Sequence, residues 1–224
     1  MGPVIGQLLP LAVGIAISPL PVIAGILMLM SPRARSTGVG FLVGWLGGIV
    51  IVAVLFAALS SVLPDQSGDG ATPILGVVQL VLGVLMLLMA VRQWRGRPKP
   101  GAQPEMPKWM AQIDGMTFFA ALGLGLLLAA LNPKNLLLGA SAGVTLGGAG
   151  LGVGDMVVVV VIYTILASST VLIPVVGFLL ASERLRAPLG RLRDWLQAEN
   201  AVIMTVLLLV LGVVIIGKGI AAFG

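Results

Sequence analysis

The sequence has no cysteine and no histidine in its 224 residues, and only 9% of them are charged. Each shortage removes a class of chemistry. Without cysteine there is no thiol–disulfide exchange, no thiolate nucleophile and no cysteine-ligated metal. Without histidine the commonest general base and metal ligand is missing as well. No Asp or Glu lies deep in an apolar stretch, and Asp155, at the start of one, comes closest. An embedded carboxylate is what a divalent-cation carrier needs. These gaps argue against an enzyme, against a metal or other cofactor, and against cation transport. The shortage of charge decides the class. A soluble domain carries about 25% charged residues, so this chain cannot cover itself with a water-facing surface.

What is present is apolar length. Hydrophobic residues make up 58% of the chain and the mean hydropathy is +1.14. Six apolar runs cover residues 3–30, 37–63, 72–92, 116–142, 153–181 and 200–222. Each exceeds the roughly 18 residues that cross a bilayer as a helix. The fold class is therefore all-α, a polytopic membrane protein. The first run lacks a basic leader and outlasts an ordinary signal-peptide core, so cleavage is not expected. The 31 glycines suit this class, because small residues let membrane helices approach closely. Those of GVGFLVGWLGG read as packing surfaces, and such faces permit a homodimer without demanding one.

The net charge of +5 does not indicate a nucleic-acid partner, because the basic residues are sorted by loop. The first loop holds Arg33 and Arg35, the third Arg92, Arg95, Arg97, Lys99 and Lys108, and the fifth Arg184, Arg186, Arg191 and Arg193. The second has only Asp65 and Asp69, and the fourth has no basic residue. By the positive-inside rule, loops one, three and five are cytoplasmic and both termini lie outside. The third loop is rich in proline and charge and reads as a cytoplasmic linker over 94–115, its end forming a short interfacial helix with Trp109 at headgroup level. In the fifth, Leu185, Leu189, Leu192 and Leu196 recur at helical intervals among arginines. That predicts an amphipathic segment over 183–198 lying on the inner leaflet.

Shifting the chain by 114 residues lays AISPLPVIAG (16–25) over ALNPKNLLLG (130–139). Ser18-Pro19 falls on Asn132-Pro133, Pro21 on Asn135 and Gly25 on Gly139. Each element lies midway along the first span of a three-span unit, residues 1–93 and 116–224. Three spans are an odd number, so the second unit enters the membrane inverted, giving an inverted 3+3 repeat with spans 1 and 4 broken.

Proline lacks an N–H and suits the first turn of a helix, while Ser and Asn cap helix N-termini. Ser18-Pro19 and Asn132-Pro133 are thus expected to start fresh half-helices at mid-depth, each presenting free N–H groups and a partial positive charge. Lys134 adds a full charge. A lysine at bilayer centre costs about 2.5–3.5 kcal/mol on insertion scales, so it should face a cavity or a partner. Ser18, Pro19, Pro21, Asn132, Pro133, Lys134 and Asn135 are the candidate substrate site, with an anionic group such as phosphate, sulfate or carboxylate as ligand. Ser168, Ser169 and Thr170, with Pro174 a turn later, are candidates for lining a path, although such hydroxyls often bond their own helix.

SPLP in the first span and NPKNLLL in the fourth resemble the lysine-exporter (LysE) superfamily, whose amino-acid exporters carry an SPGP-like and an NPK element at these places. AISPLPVIAGILMLMSPRARSTGVGFLVGW together with PKWM and IDGMTFFAALGLGLLLAALNPKNLLL is most similar to its GAP family. Those membrane proteins are associated with moving glycopeptidolipids and sulfolipids to the cell surface. The resemblance implies a six-helix exporter with its central site at the residues named. Leu20 stands where the exporters have glycine, which disfavours close backbone approach by a small polar ligand. Three readings stand side by side: a transporter of an anionic lipid or glycolipid, an exporter of amino acids or another small solute, and a non-transporting membrane component of a lipid-export machine. Membrane lipids are expected partners in each.

Overall fold

Two prolines set the architecture. In a computed structural model describing residues 1–61, 71–97 and 108–223, helix α1 (Gly2–Ala16) stops just before Ser18-Pro19, and α2 (Pro19–Met30) begins on the proline. Helix α5 (Phe118–Ala130) stops in the same way before Asn132-Pro133, and α6 (Pro133–Gly147) begins there. A proline ring clashes with the carbonyl four residues back, so a helix cannot run straight through it but restarts readily on it. The bends are 54° and 66°. Both breaks fall where the 114-residue offset places them.

The remaining elements are α3 (Ala34–Ser61), α4 (Ala71–Arg95), a 3-10 helix (Lys108–Gly115) and α7 (Val153–Ala221). Helix α7 is interrupted at Ala181, whose φ of −146° and ψ of 52° are not helical. Gly177 lies against Leu185 across that interruption, although eight residues of straight helix would separate them by about 12 Å. The chain therefore folds back, and Val153–Ser182 and Arg184–Ala221 are separate arms. Four helices are long and apolar enough to cross a membrane, and six spans result if each bent pair counts as one. No strand occurs among the described residues.

The expected segment over 183–198 is helical and runs on without a break into the helix that follows it. It forms the start of the 38-residue second arm of α7. QAEN offers no Gly or Pro to end a helix there, and Leu189 and Leu196 are buried in the core while Leu192 and Trp195 face outward. The 3-10 helix likewise tucks Met110 and Ile113 into the core beside α2. The acidic second loop, residues 98–107 of the 94–115 linker and the Trp109 side chain lie outside the described residues.

Glycine sets the helix spacing. Gly40, Gly44 and Gly48 form one stripe on α3, and a Cβ on any of them would run into α5, at Gly44 onto the Leu122 carbonyl oxygen. Gly139, Gly143 and Gly147 of α6 meet α3 in the same manner. Between α4 and the second arm of α7, Gly83 faces Gly212 and Gly76 faces Gly219, backbone against backbone. Without water to drive apolar surfaces together, such close contact is the main source of cohesion between membrane helices. The stripes expected to permit a homodimer are thus filled within one chain. Trp45, fully buried, stacks on Phe41 with ring centroids 6.4 Å apart and is a core residue.

Gly44 and its neighbour Gly47 give a matched test. Gly44→Ala must separate α3 from α5 and is expected to cost about 1–3 kcal/mol, the ordinary range for overpacking. Gly47 faces open space, so Gly47→Ala should stay within about 0.5 kcal/mol of the parent. Thermal unfolding in detergent checks this, and equal effects of the two would rule out the close approach.

Candidate functional site

Breaking a helix inside an apolar slab exposes its last carbonyls, and no water is there to bind them. At the end of α1 each one finds a partner. The Ile17 N–H bonds the Val13 carbonyl at 2.9 Å. The Ser18 hydroxyl donates to the Ile15 carbonyl at 2.7 Å. The Ala16 carbonyl accepts from the Ser18 N–H at 2.8 Å and from Thr170 Oγ1 on α7 at 2.6 Å. Lys134, the second residue of α6, closes the remaining two. Its Nζ donates to the Gly14 carbonyl at 2.6 Å, the Ile17 carbonyl at 3.1 Å and Ser18 Oγ at 2.5 Å.

An ammonium group has three N–H donors, and all three are engaged. Lys134 is fully buried and has no carboxylate partner among the described residues. Bonds from a charged donor contribute about 1.5–3 kcal/mol each, so three of them outweigh the insertion cost of about 2.5–3.5 kcal/mol. Gly14 lies against Leu211, midway along the apolar run 200–222, and the next residue, Gly212, lies against Gly83. The ammonium therefore sits at mid-depth of the bundle rather than reaching toward an end.

The two helix starts differ from the sequence expectation, which gave both of them free donors. Asn132 caps α6 as expected, its Oδ1 accepting from the Lys134 N–H at 3.1 Å. Ser18 occupies the cap position of α2 but its side chain does not cap it, because the hydroxyl is held by Ile15 and Lys134. Pro19 and Pro21 have no N–H and the Val22 N–H bonds the Ser18 carbonyl, so only Leu20 can offer a donor from that first turn. Asn135 is buried and structural. Its Nδ2 bonds the Leu128 carbonyl of α5 at 3.1 Å, and its Oδ1 lies 3.2 Å from Ser18 Oγ. The Ser18 hydroxyl has one hydrogen, and the shorter contact to Ile15 takes it.

Six of the seven candidates, all but Asn135, line one cavity of about 530 Å³. Its wall also includes Arg92 and Gln93 at the end of α4 and Asn200 on α7, with apolar side chains such as Met89, Met204 and Leu208 between. The sequence reading missed Arg92, Gln93 and Asn200 as site residues. Arg92 counted only as a topological charge, and nothing local in α4 points inward; the pairing of α4 with α7 does that. Among the described residues no Asp or Glu lines the cavity, and the two formal charges there, Arg92 and Lys134, are both positive.

On the other side of Ser18 and Pro19 lies a second cavity, of about 290 Å³ and almost wholly apolar, which Ser169 and Thr170 line. Ser168 lines neither, since it is buried and bonds the Thr164 carbonyl at 2.7 Å. From Ile17 an apolar groove of about 550 Å³ continues between α1 and the second arm of α7, past Val13, Val206 and Val210. A cationic chamber thus adjoins a hydrocarbon-lined one across a single pair of residues.

A family model described as Sap, sulfolipid-1-addressing protein, matches residues 8–221. The chain belongs to that family. The match spans both bent pairs and both arms of α7, and it accords with the resemblance to the glycolipid-addressing GAP family. No curated protein and no solved structure matches the chain.

The end-capping of α1 predicts a contrast between adjacent hydroxyls. Ser169 bonds the Leu166 carbonyl of its own helix, whereas Thr170 reaches across to α1. Thr170→Val should lower stability by about 0.5–1.5 kcal/mol, and Ser169→Ala by less than about 0.5 kcal/mol. Thermal melts of the two variants decide it, and the reverse order would remove Thr170 from the cap.

Proposed function

We propose that the chain is a transporter of the cytoplasmic membrane that moves an anionic lipid or glycolipid across or out of that membrane, with a sulfolipid, the lipid in its family's name, as the first candidate. The observation that carries this reading is the pairing of chambers. The larger cavity has Arg92 and Lys134 in its wall and no acid, and it suits a headgroup of negative charge. The apolar cavity and groove beside Ser18 and Pro19 suit acyl chains, which an exporter of small polar solutes would not need.

In this reading loops one, three and five are cytoplasmic and both termini lie outside, as the basic residues indicate. Residues 1–93 and 116–224 form the inverted 3+3 repeat, with the broken spans meeting at the site as in other carriers of that plan. Ser18, Pro19, Pro21, Asn132 and Pro133 shape the chamber, and Lys134 gives it a positive potential at mid-depth. The reading involves no chemical step, in keeping with a sequence that has neither histidine nor cysteine and a cavity that no carboxylate of the described residues lines.

Purified protein in phosphatidylcholine vesicles provides the test, with headgroup-intact, acyl-labelled fluorescent phosphatidylglycerol and phosphatidylcholine as probes. The anionic probe is expected to cross between leaflets well above the protein-free rate, and the zwitterionic probe more slowly. Lys134→Gln should slow the anionic probe about ten-fold, equivalent to about 1.4 kcal/mol. Movement of both probes at the protein-free rate would refute transport.

A further inference from the structure

The chamber has two cations, and only one of them has donors to offer. Lys134 has engaged its three N–H groups with Gly14, Ile17 and Ser18, and any anion gripping it directly would first have to displace a carbonyl of α1. Arg92 is exposed, lines the cavity, and has no acceptor for its guanidinium among the described residues. The arginines that follow it, Arg95 at the end of α4 and Arg97 just beyond, are different. Arg97 is stacked on Trp94 at 3.8 Å and donates to the Trp94 carbonyl at 3.1 Å, and Arg95 does not line the cavity.

Two side-chain amides share the chamber wall with Arg92. Gln93 follows it on α4, and Asn200 comes from α7, brought opposite by the Gly83–Gly212 and Gly76–Gly219 contacts. Neither amide has a protein partner among the described residues. A guanidinium contributes five donors in a planar fork and each amide contributes two more. Among the described residues no carboxylate lines the chamber to neutralise them.

We propose that Arg92, with Gln93 and Asn200, is the headgroup-recognition element of this cavity, and that its ligand is a tetrahedral oxyanion, a sulfate ester or a phosphate. The proposal rests on the transport reading for its setting and deepens it by naming the group that selects the substrate. The fork matches two oxygens of such an anion at once, which a lysine ammonium cannot do. The amides supply directional donors to the oxygens that remain. Lys134 acts from the floor of the chamber through its charge, while its hydrogen bonds hold α1. Binding at Arg92 leaves the chains of a lipid ligand free to cross Ser18 and Pro19, which the chamber shares with the apolar cavity.

Binding separates this inference from transport. Native mass spectrometry and thermal-shift titration of the full chain in detergent would use sulfatide, phosphatidylglycerol, phosphatidylcholine, and sodium sulfate and phosphate as free anions. Arg92→Gln is expected to weaken sulfatide and phosphatidylglycerol about ten- to hundred-fold, as for loss of a charged hydrogen-bonding pair. Arg92→Lys, which keeps the charge and loses the fork, should fall between. Arg95→Gln, the same charge change one turn along and off the cavity, should bind as the parent does. Phosphatidylcholine, whose phosphate is neutralised by its own quaternary ammonium, should bind more weakly than either anionic lipid and lose less in Arg92→Gln. Arg92 dependence in the lipid arms alone identifies a lipid headgroup; the same dependence for the free anions assigns the oxyanion to a solute. Equal affinity in Arg92→Gln and parent for every anionic probe, or equal loss in Arg95→Gln, would overturn the proposal. Arg92-dependent binding with no leaflet crossing would leave recognition standing and sink transport. Crossing that is indifferent to Arg92→Gln would do the opposite.

Discussion

The bundle depends on one requirement: the carbonyls at the broken end of α1 must be satisfied within an apolar slab, and groups of the protein satisfy them. A helix that ends in solvent leaves this to water at little cost. Here each unpaired carbonyl would cost about 1–3 kcal/mol, and the end of α1 exposes several within one turn. The solution draws on three elements. Ser18 turns back from the break itself, Thr170 comes from α7, and Lys134 comes from α6. Their convergence fixes where α6 and α7 stand relative to α1. The chamber beside the break is the space left by that arrangement.

The same requirement explains why the two half-helix starts do not form a matched pair of anion sites. Each start offers donors only to the extent that its residues have them and have not used them. Pro-Leu-Pro removes two N–H groups from the first turn of α2, and Asn132 takes one from α6. The lysine, which in the sequence looks like the strongest anion ligand, has carbonyl partners instead. Positive potential remains in the chamber, since neutral carbonyls do not cancel an ammonium charge. The directional donors lie elsewhere in the wall.

The broad architecture was legible because apolar length, glycine and proline report on it directly. The apolar helices, both breaks and the helical character of 183–198 follow from local pattern, and so does the cap by Asn132; the start of the last helix at Arg184, well before the apolar run at 200, does not. Other features depend on pairing between distant helices, which periodicity does not encode. Arg92 reads as a topological marker until Gly83 and Gly212 bring α4 against α7. Thr170 reads as one of three equivalent hydroxyls until α1 is placed beside it. Ser18 reads as a cap for the helix after it, whereas its hydroxyl serves the helix before it. In each case the residue type signalled polarity and only the tertiary partner decided its use.

The two breaks also differ in who holds them. At the second, Asn135 of α6 bonds the Leu128 carbonyl of α5, so that break is closed from within its own half of the chain. At the first, the position matching Lys134 is Leu20, which cannot cap anything, and the ammonium comes from the other half. Hydrogen bonds joining the halves gather on α1 and its break: Lys134 to Gly14, Ile17 and Ser18, Thr170 to Ala16, and Lys218 to the Gln7 carbonyl at 2.8 Å. Elsewhere the halves meet through glycine-lined helix faces, where packing is close but nondirectional. A movement that shifts α1 against α6 has to break the lysine bonds, whereas sliding along the glycine faces breaks none. The polar clamp on α1 is therefore where resistance to relative motion of the halves is concentrated, and it borders the chamber that a headgroup would enter.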